Sequence, residues 1–368
     1  MKKRILGIMI VAALALSMTA CGAASDEATA EVDVSTTVST AEKADEEKEE
    51  TKAEETEKEA EETTVEETEA ETTAETKPEI EIVDVPVEDF ETQYDASIQG
   101  LIIEKYNGDE LGIRIPAEID GDPVKKIGNG AFSSTNVKKL ELPEGLTTIG
   151  EYGLKCSTLE EVIFPSSLTT LENNAFRSCT SLKTITIPDT VTEFGEYMFE
   201  DCRILEEVTL PSNLTEIPAY TFQACTKLTT VNLPANLTSI STSAFESCRN
   251  LVNITIPENV EIIGSDAFKN CASLTEITIP EKVTEISFST FENCESLKSV
   301  MLHENIKSID TTAFKNCSNL RELVYPDNIE RGWFPDNCQA LTITYRGNTY
   351  TSANKDELYE AILANNGN

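Results

Sequence analysis

Histidine is almost absent from this chain: His303 is the one copy in 368 residues. Imidazole is the usual partner of a nucleophilic thiol and a common metal ligand, so a Cys-His catalytic pair would have to be built around this one side chain. Positive charge is scarce too, with 29 Lys and Arg against 66 Asp and Glu and a net charge of −37. Such a surface repels polyphosphate backbones and anionic headgroups, which argues against nucleic acid as a partner. No glycine-rich, phosphate-cradling loop is present, and no apolar run beyond the N-terminus could cross a bilayer. Nothing calls for a cofactor. Cysteine is not scarce, but nine of the ten follow Cys21, an odd number that cannot all pair internally.

What is present begins with Lys2, Lys3 and Arg4, an apolar run from Ile5 to Met18, and the small-residue ending Met18-Thr19-Ala20-Cys21. That order is the order of a secretory signal, placed here over residues 1–20. A cysteine directly after small residues resembles the lipobox of bacterial lipoproteins, which implies that Cys21 becomes the lipid-modified first residue. The expected location is the outer face of the bacterial cytoplasmic membrane or the cell surface, with the membrane touched through the lipid alone. Residues 21–79 form an acidic linker. Between Gly22 and Pro78 there are 21 acidic and 5 basic residues and no aromatic residue, too little apolar surface to fold. A disordered tether of this length has a coil dimension of roughly 45 Å.

The rest of the chain repeats. Cys156, Cys179, Cys202, Cys225, Cys248, Cys271, Cys294 and Cys317 follow one another at a single constant interval. Phe176, Phe199, Phe222, Phe245, Phe268, Phe291 and Phe314 form a second column with the same interval, and a proline column runs from Pro143 to Pro326 with His303 filling one slot. Each unit reads approximately Ala-Phe-x-x-Cys-x-x-Leu-x-x-Ile-x-Ile-Pro-x-x-Val-Thr-x-Ile-Gly. Segments such as Ile277-Thr278-Ile279 alternate with period two and stop at proline, as strands do. The Ala-Phe-x-x-Cys-x-x-Leu spacing predicts a tight helical or 3₁₀ turn. One strand and one turn cannot close a core, so the units must stack, Phe on Phe and Cys on Cys. Stacked thiols point the same way about 4.8 Å apart, which disfavours disulfides and predicts buried free cysteines. Zinc is disfavoured as well, because ligands spaced one repeat apart form a line and not a tetrahedron.

The repeated phrase resembles the BspA-like, or treponemal-type, leucine-rich repeat. The resemblance implies an α/β solenoid of leucine-rich repeats of about 23 residues, with a parallel β-sheet on the concave face, displayed on a bacterial surface and associated with adhesion. The solenoid is placed at residues 113–338. A cap over residues 80–112 is expected to be a β-hairpin turning at Asn107-Gly108. A strand-helix cap is expected over residues 339–368, with Asn354-x-x-Glu357 starting a helix that buries Leu358, Ala361 and Ile362.

Carboxylates such as Glu160, Glu161, Glu206 and Glu207 abound, but acid–base chemistry needs two of them across a pocket, and the acidic face reads mostly as solvated surface. The binding reading rests on the strand positions that alternate with the core: Thr184, Thr186, Glu207, Thr209, Thr230, Asn232, Asn253, Thr255, Glu276, Thr278, Ser299 and Met301. Threonine also favours strands for its own sake. The function expected is non-enzymatic binding of a protein or glycan polymer on host or neighbouring cells by a monomer. The alternative is a passive envelope spacer. The signal makes a first prediction: Cys21→Ser should leave precursor that is uncleaved or cleaved elsewhere, and normal detergent-partitioning mature protein from that variant would refute acylation.

Overall fold

The computed structural model describes residues 79–366, so the expected signal, Cys21 and the linker through residue 78 lie outside the described residues. The chain winds as a β-solenoid, and its register is set by the repeat. Thr184, Ile185 and Thr186 pair with Glu207, Val208 and Thr209, which pair in turn with Thr230, Val231 and Asn232, each one repeat further on and all parallel. One ladder is built of three-residue strands. Its first block joins Val83–Asp84, Gly112–Arg114, Lys139–Glu141 and Glu161–Ile163; its second joins Thr184–Thr186, Glu207–Thr209 and Thr230–Asn232. Its third runs from Glu276–Thr278 through Ser299–Met301 and Glu322–Val324 to the terminal pair Thr342–Tyr345 and Asn348–Tyr350. A second ladder of short strands includes Glu216–Ile217, Ser239–Ile240 and Ile262–Ile263. The central residue of most three-residue strands, such as Val208, Ile277 or Val300, is buried, as period-two alternation requires; Val162 is half-buried and Thr349 in the terminal pair is exposed.

The α component expected from the Ala-Phe-x-x-Cys spacing is not there. Among the described residues the one α-helix is Lys355–Asn366, in the C-terminal cap, and the one 3₁₀ turn is Val87–Asp89. The turns do close with bonds between residues three apart, as from Cys202 N to Phe199 O (3.1 Å) and Leu205 N to Cys202 O (3.1 Å). They cannot propagate as helix, because residues two before Phe and one before Cys lie in the left-handed region: Tyr220 and Ala224 at φ 60°, Asp266 at 57° and Asn270 at 61°. A left-handed residue reverses the screw sense of the chain. Asparagine tolerates that conformation, and in the last coils it is used twice over. Asn293 Nδ2 donates to Asn270 Oδ1 at 2.7 Å, Asn316 Nδ2 to Asn293 Oδ1 at 2.6 Å, and Asn337 Nδ2 to Asn316 Oδ1 at 2.6 Å.

The core is a stack of rings. Phe199 and Phe222 lie 5.7 Å apart, Phe222 and Phe245 5.2 Å, Phe245 and Phe268 5.3 Å, with the last pair tilted by 1°. Stacking of identical rings follows from identical register, and each buried ring removes a large apolar area from water. Both ends are covered. At the front, Phe90–Asp95 pairs antiparallel with Gly100–Tyr106, and Tyr106 stacks on Phe132 at 5.6 Å. This hairpin turns at residues 96–99 and not at Asn107-Gly108. The latter leads instead into Gly112–Arg114, which is parallel to Lys139–Glu141 in the other ladder, so long-range pairing overrides the local turn signal. At the back, Leu358 and Ile362 of the helix are buried, Ala361 packs partly against the core, and Tyr359 stacks on Trp333 at 4.3 Å.

All nine cysteines from Cys156 to Cys338 are free and buried. Each interior thiol has a defined partner. Cys225 Sγ donates to Phe199 O at 3.1 Å, Cys248 Sγ to Phe222 O at 3.2 Å, Cys271 Sγ to Phe245 O at 3.1 Å and Cys294 Sγ to Phe268 O at 3.1 Å. The same carbonyls accept the N–H of their own coil's cysteine, as Cys202 N to Phe199 O at 3.1 Å. One thiol per coil therefore saturates a buried carbonyl of the coil before it. Burial pushes these thiols up: Cys202, Cys225, Cys248, Cys271, Cys294 and Cys317 are raised far above the ordinary thiol range, and Cys338 to about 11. Native protein should therefore react slowly with a thiol reagent and fully once denatured without reductant; disulfide-linked peptides from native protein would refute this. Cys248→Ala strips the second donor from Phe222 O and should destabilise by about 1–3 kcal/mol in denaturant titration. Because the folded state holds thiol protons that the unfolded chain loses near pH 8.5, stability should be full below that pH and fall as pH rises. Each raised thiol contributes up to about 1.4 kcal/mol per pH unit. A midpoint unchanged between about pH 8 and pH 10 would contradict it.

Candidate interaction surface

The side chains that alternate with the core on the three-residue strands all reach solvent. Thr184, Thr186, Glu207, Thr209, Thr230 and Asn232 are exposed on the second block, Glu276, Thr278, Ser299 and Met301 on the third. Register aligns them: Thr186 sits beside Thr209 and Thr209 beside Asn232, while Thr278 sits beside Met301. Asn253 and Thr255 are exposed and keep the alternation, with Ile254 buried between them, but their coil forms no three-residue strand. The continuous row expected from the repeat is thus interrupted in its ladder hydrogen bonding between Asn232 and Glu276, though its side chains still follow one another coil by coil.

Connected grooves lie on the C-terminal side of that interruption. Asn253, Thr255, Glu276, Thr278, Ser299 and Met301 line one groove together with Ile254, Ile256, Glu258 and Ile277. A neighbouring groove of about 530 Å³ adds Ile279, Pro280, Glu281, Lys282, Leu302 and His303. A third carries the same floor on to Val324, Tyr325, Pro326, Asp327 and Asn328. Met301 is 69% exposed and Val324 56%, unusual for apolar side chains within a strand. Six of the twelve expected contact residues therefore meet in one depression, while the threonine-rich second block lies outside it. The sequence reading missed Leu302, His303 and the acids Glu258, Glu281, Glu304 and Asp327. Their signal was the position after the proline column, which is acidic in four successive coils.

His303 and the thiols, the groups a Cys-His pair would need, are each engaged elsewhere. His303 is tied down: Nδ1 accepts the Asn305 N–H at 3.2 Å, which leaves Nε2 to donate to Pro280 O at 2.8 Å. The thiols are buried inside the coil and bonded to main-chain carbonyls, so neither half of a Cys-His pair faces the other. Among the described residues no group of three or more His, Cys, Asp or Glu side chains is placed to hold a metal ion.

A family model described as "BspA type Leucine rich repeat region" matches six copies over residues 115–229 and 215–342. Among solved structures, the chain is similar to a Treponema pallidum leucine-rich repeat protein, with 30% identity and a TM-score of 0.49 over 52% of this chain and 91% of that one. It is similar to a leucine-rich cell surface protein of Faecalibacterium prausnitzii, with 26% identity and a TM-score of 0.36 over 72% and 95%. It is also similar to the pneumococcal vaccine antigen PcpA, with 22% identity and a TM-score of 0.49 over 67% and 66%. No curated protein matches the chain.

Proposed function

Because the chain belongs to the BspA-type leucine-rich repeat family, we propose that it is an exported, lipid-anchored surface protein that binds a macromolecular partner without catalysis. The observation that carries this reading is the row of exposed side chains on the three-residue strands, Thr186, Thr209 and Asn232 and then Thr278 and Met301, held in register by the coil beneath. A row with one side chain every ~4.8 Å meets an extended polymer or a protein face better than a small metabolite. Anchoring at Cys21 and a linker over residues 21–79 would carry the solenoid clear of the membrane.

Residues so exposed can be changed without disturbing the buried columns. A variant with Thr209→Lys, Asn232→Lys, Thr255→Lys and Thr278→Lys should fold normally and lose most of its affinity for whichever member of a panel of purified surface proteins and glycans binds the wild type saturably. Unchanged affinity in a folded variant would move the site off this face. Absence of any saturable binder would favour a passive spacer.

A further inference from the structure

The position after the proline column behaves differently in the two halves of the solenoid. In the first half a carboxylate is followed, one coil on, by a serine that bonds to it. Glu144 accepts from Ser166 N at 3.1 Å and Ser166 Oγ at 2.9 Å, and Asp189 accepts from Ser212 N at 2.7 Å. In the second half the same position holds Glu258, Glu281, Glu304 and Asp327 in succession. Acid follows acid there, with no serine between. Among the described residues the carboxylates of these four make no side-chain hydrogen bond or ion pair, and all four are exposed. The one lysine in the groove, Lys282, is turned to Glu261 at 3.4 Å and Asn259 Oδ1 at 3.2 Å. Like charges at matching turn positions of adjacent coils repel, so this row is a standing electrostatic cost in the isolated chain.

That row is one wall of the groove whose floor is apolar: Ile256, Ile279, Leu302, Met301 and Val324. A sugar polymer would gain little from four unpaired carboxylates beside exposed Met301 and Val324. A polypeptide with basic and apolar side chains would satisfy both, the cations neutralising the wall and the apolar groups covering the floor. We propose that the C-terminal groove is a docking site for an extended basic segment of a partner protein in which lysine or arginine alternates with aliphatic residues. This rests on the reading of the exposed strand face as a binding surface and names the partner's chemistry. An extended segment of about five residues spans the four coils from Asn253 to Glu322, since coils rise ~4.8 Å and strand residues ~3.3 Å. On the strand side the lining adds a further carboxylate, Glu276, and the segment should lie with its cations along the row of Glu281 and Glu304.

The test uses the full chain and a fluorescent peptide of about eight residues alternating lysine and valine, compared with peptides alternating lysine and serine or glutamate and valine. The lysine-valine peptide should bind saturably and release as salt rises from about 0.05 to about 0.5 M. Both comparison peptides should bind at least about tenfold more weakly. The variant Glu258→Gln, Glu281→Gln, Glu304→Gln, Asp327→Asn should weaken binding about tenfold, and Met301→Ser with Val324→Ser by at least as much. Four exposed acids elsewhere, changed as Glu193→Gln, Glu196→Gln, Glu216→Gln and Glu285→Gln, should alter affinity by less than about twofold. Equal weakening by the two sets of four, or equal binding of the lysine-serine peptide, would reduce the effect to bulk charge and overturn the proposal. Should the peptide fail to bind while the panel ligand remains sensitive to the lysine substitutions on the strand face, this inference falls and the wider binding reading stands.

Discussion

One bond from coil to coil organises the molecule: the thiol hydrogen of each cysteine from Cys202 to Cys338, donated to the phenylalanine carbonyl of the coil before it. The left-handed residues that sharpen the turn pull this carbonyl out of any regular ladder. It receives one N–H from its own coil and would otherwise keep a second lone pair empty in a dry interior. Serine could donate there, but its hydroxyl is more strongly hydrated and brings a second acceptor into the same space. The thiol is a weak donor with an apolar body, so it serves the carbonyl and fills the column together. The phenylalanine rings then fall into a stack because the carbonyls on which they hang are fixed at a common spacing.

Much of this was legible beforehand because the repeat states it many times. Register, burial of Val208 or Ile277, free thiols and exposure of Thr209 or Thr278 all follow from period two within a strand and the constant repeat length between strands. The errors have a shared cause, which is that a local signal was read without its long-range competitor. Asn107-Gly108 is good turn chemistry, yet the strands on either side belong to different ladders. The Phe-Cys spacing fits a helical turn, and only the φ of residues such as Tyr220 and Ala224 shows why the helix stops at once. Asp201, Asn270 and Asn293 at the position before cysteine were the available hint, since such residues accept left-handed backbone more readily than most.

The groove was harder to see. Met301 was visible as an outward position, but its neighbours across the turn came from the proline column, which reads as a strand stop and not as a wall. Whether the acids there are satisfied depends on what stands one coil later. Ser166 answers Glu144 and Ser212 answers Asp189, whereas Glu281, Glu304 and Asp327 answer Glu258 with more of the same charge. A residue's meaning in a solenoid therefore lies partly in its counterpart one repeat away, a comparison that the linear order of the chain hides.

Both ends of the stack are closed by structures unlike the repeat, Phe90–Asp95 at one end and the helix Lys355–Asn366 at the other. Between these fixed ends the coils are interchangeable in register. Adding or removing a whole unit would rejoin phenylalanine to phenylalanine and thiol to carbonyl. The length of the exposed strand face can thus be set independently of the fold that carries it.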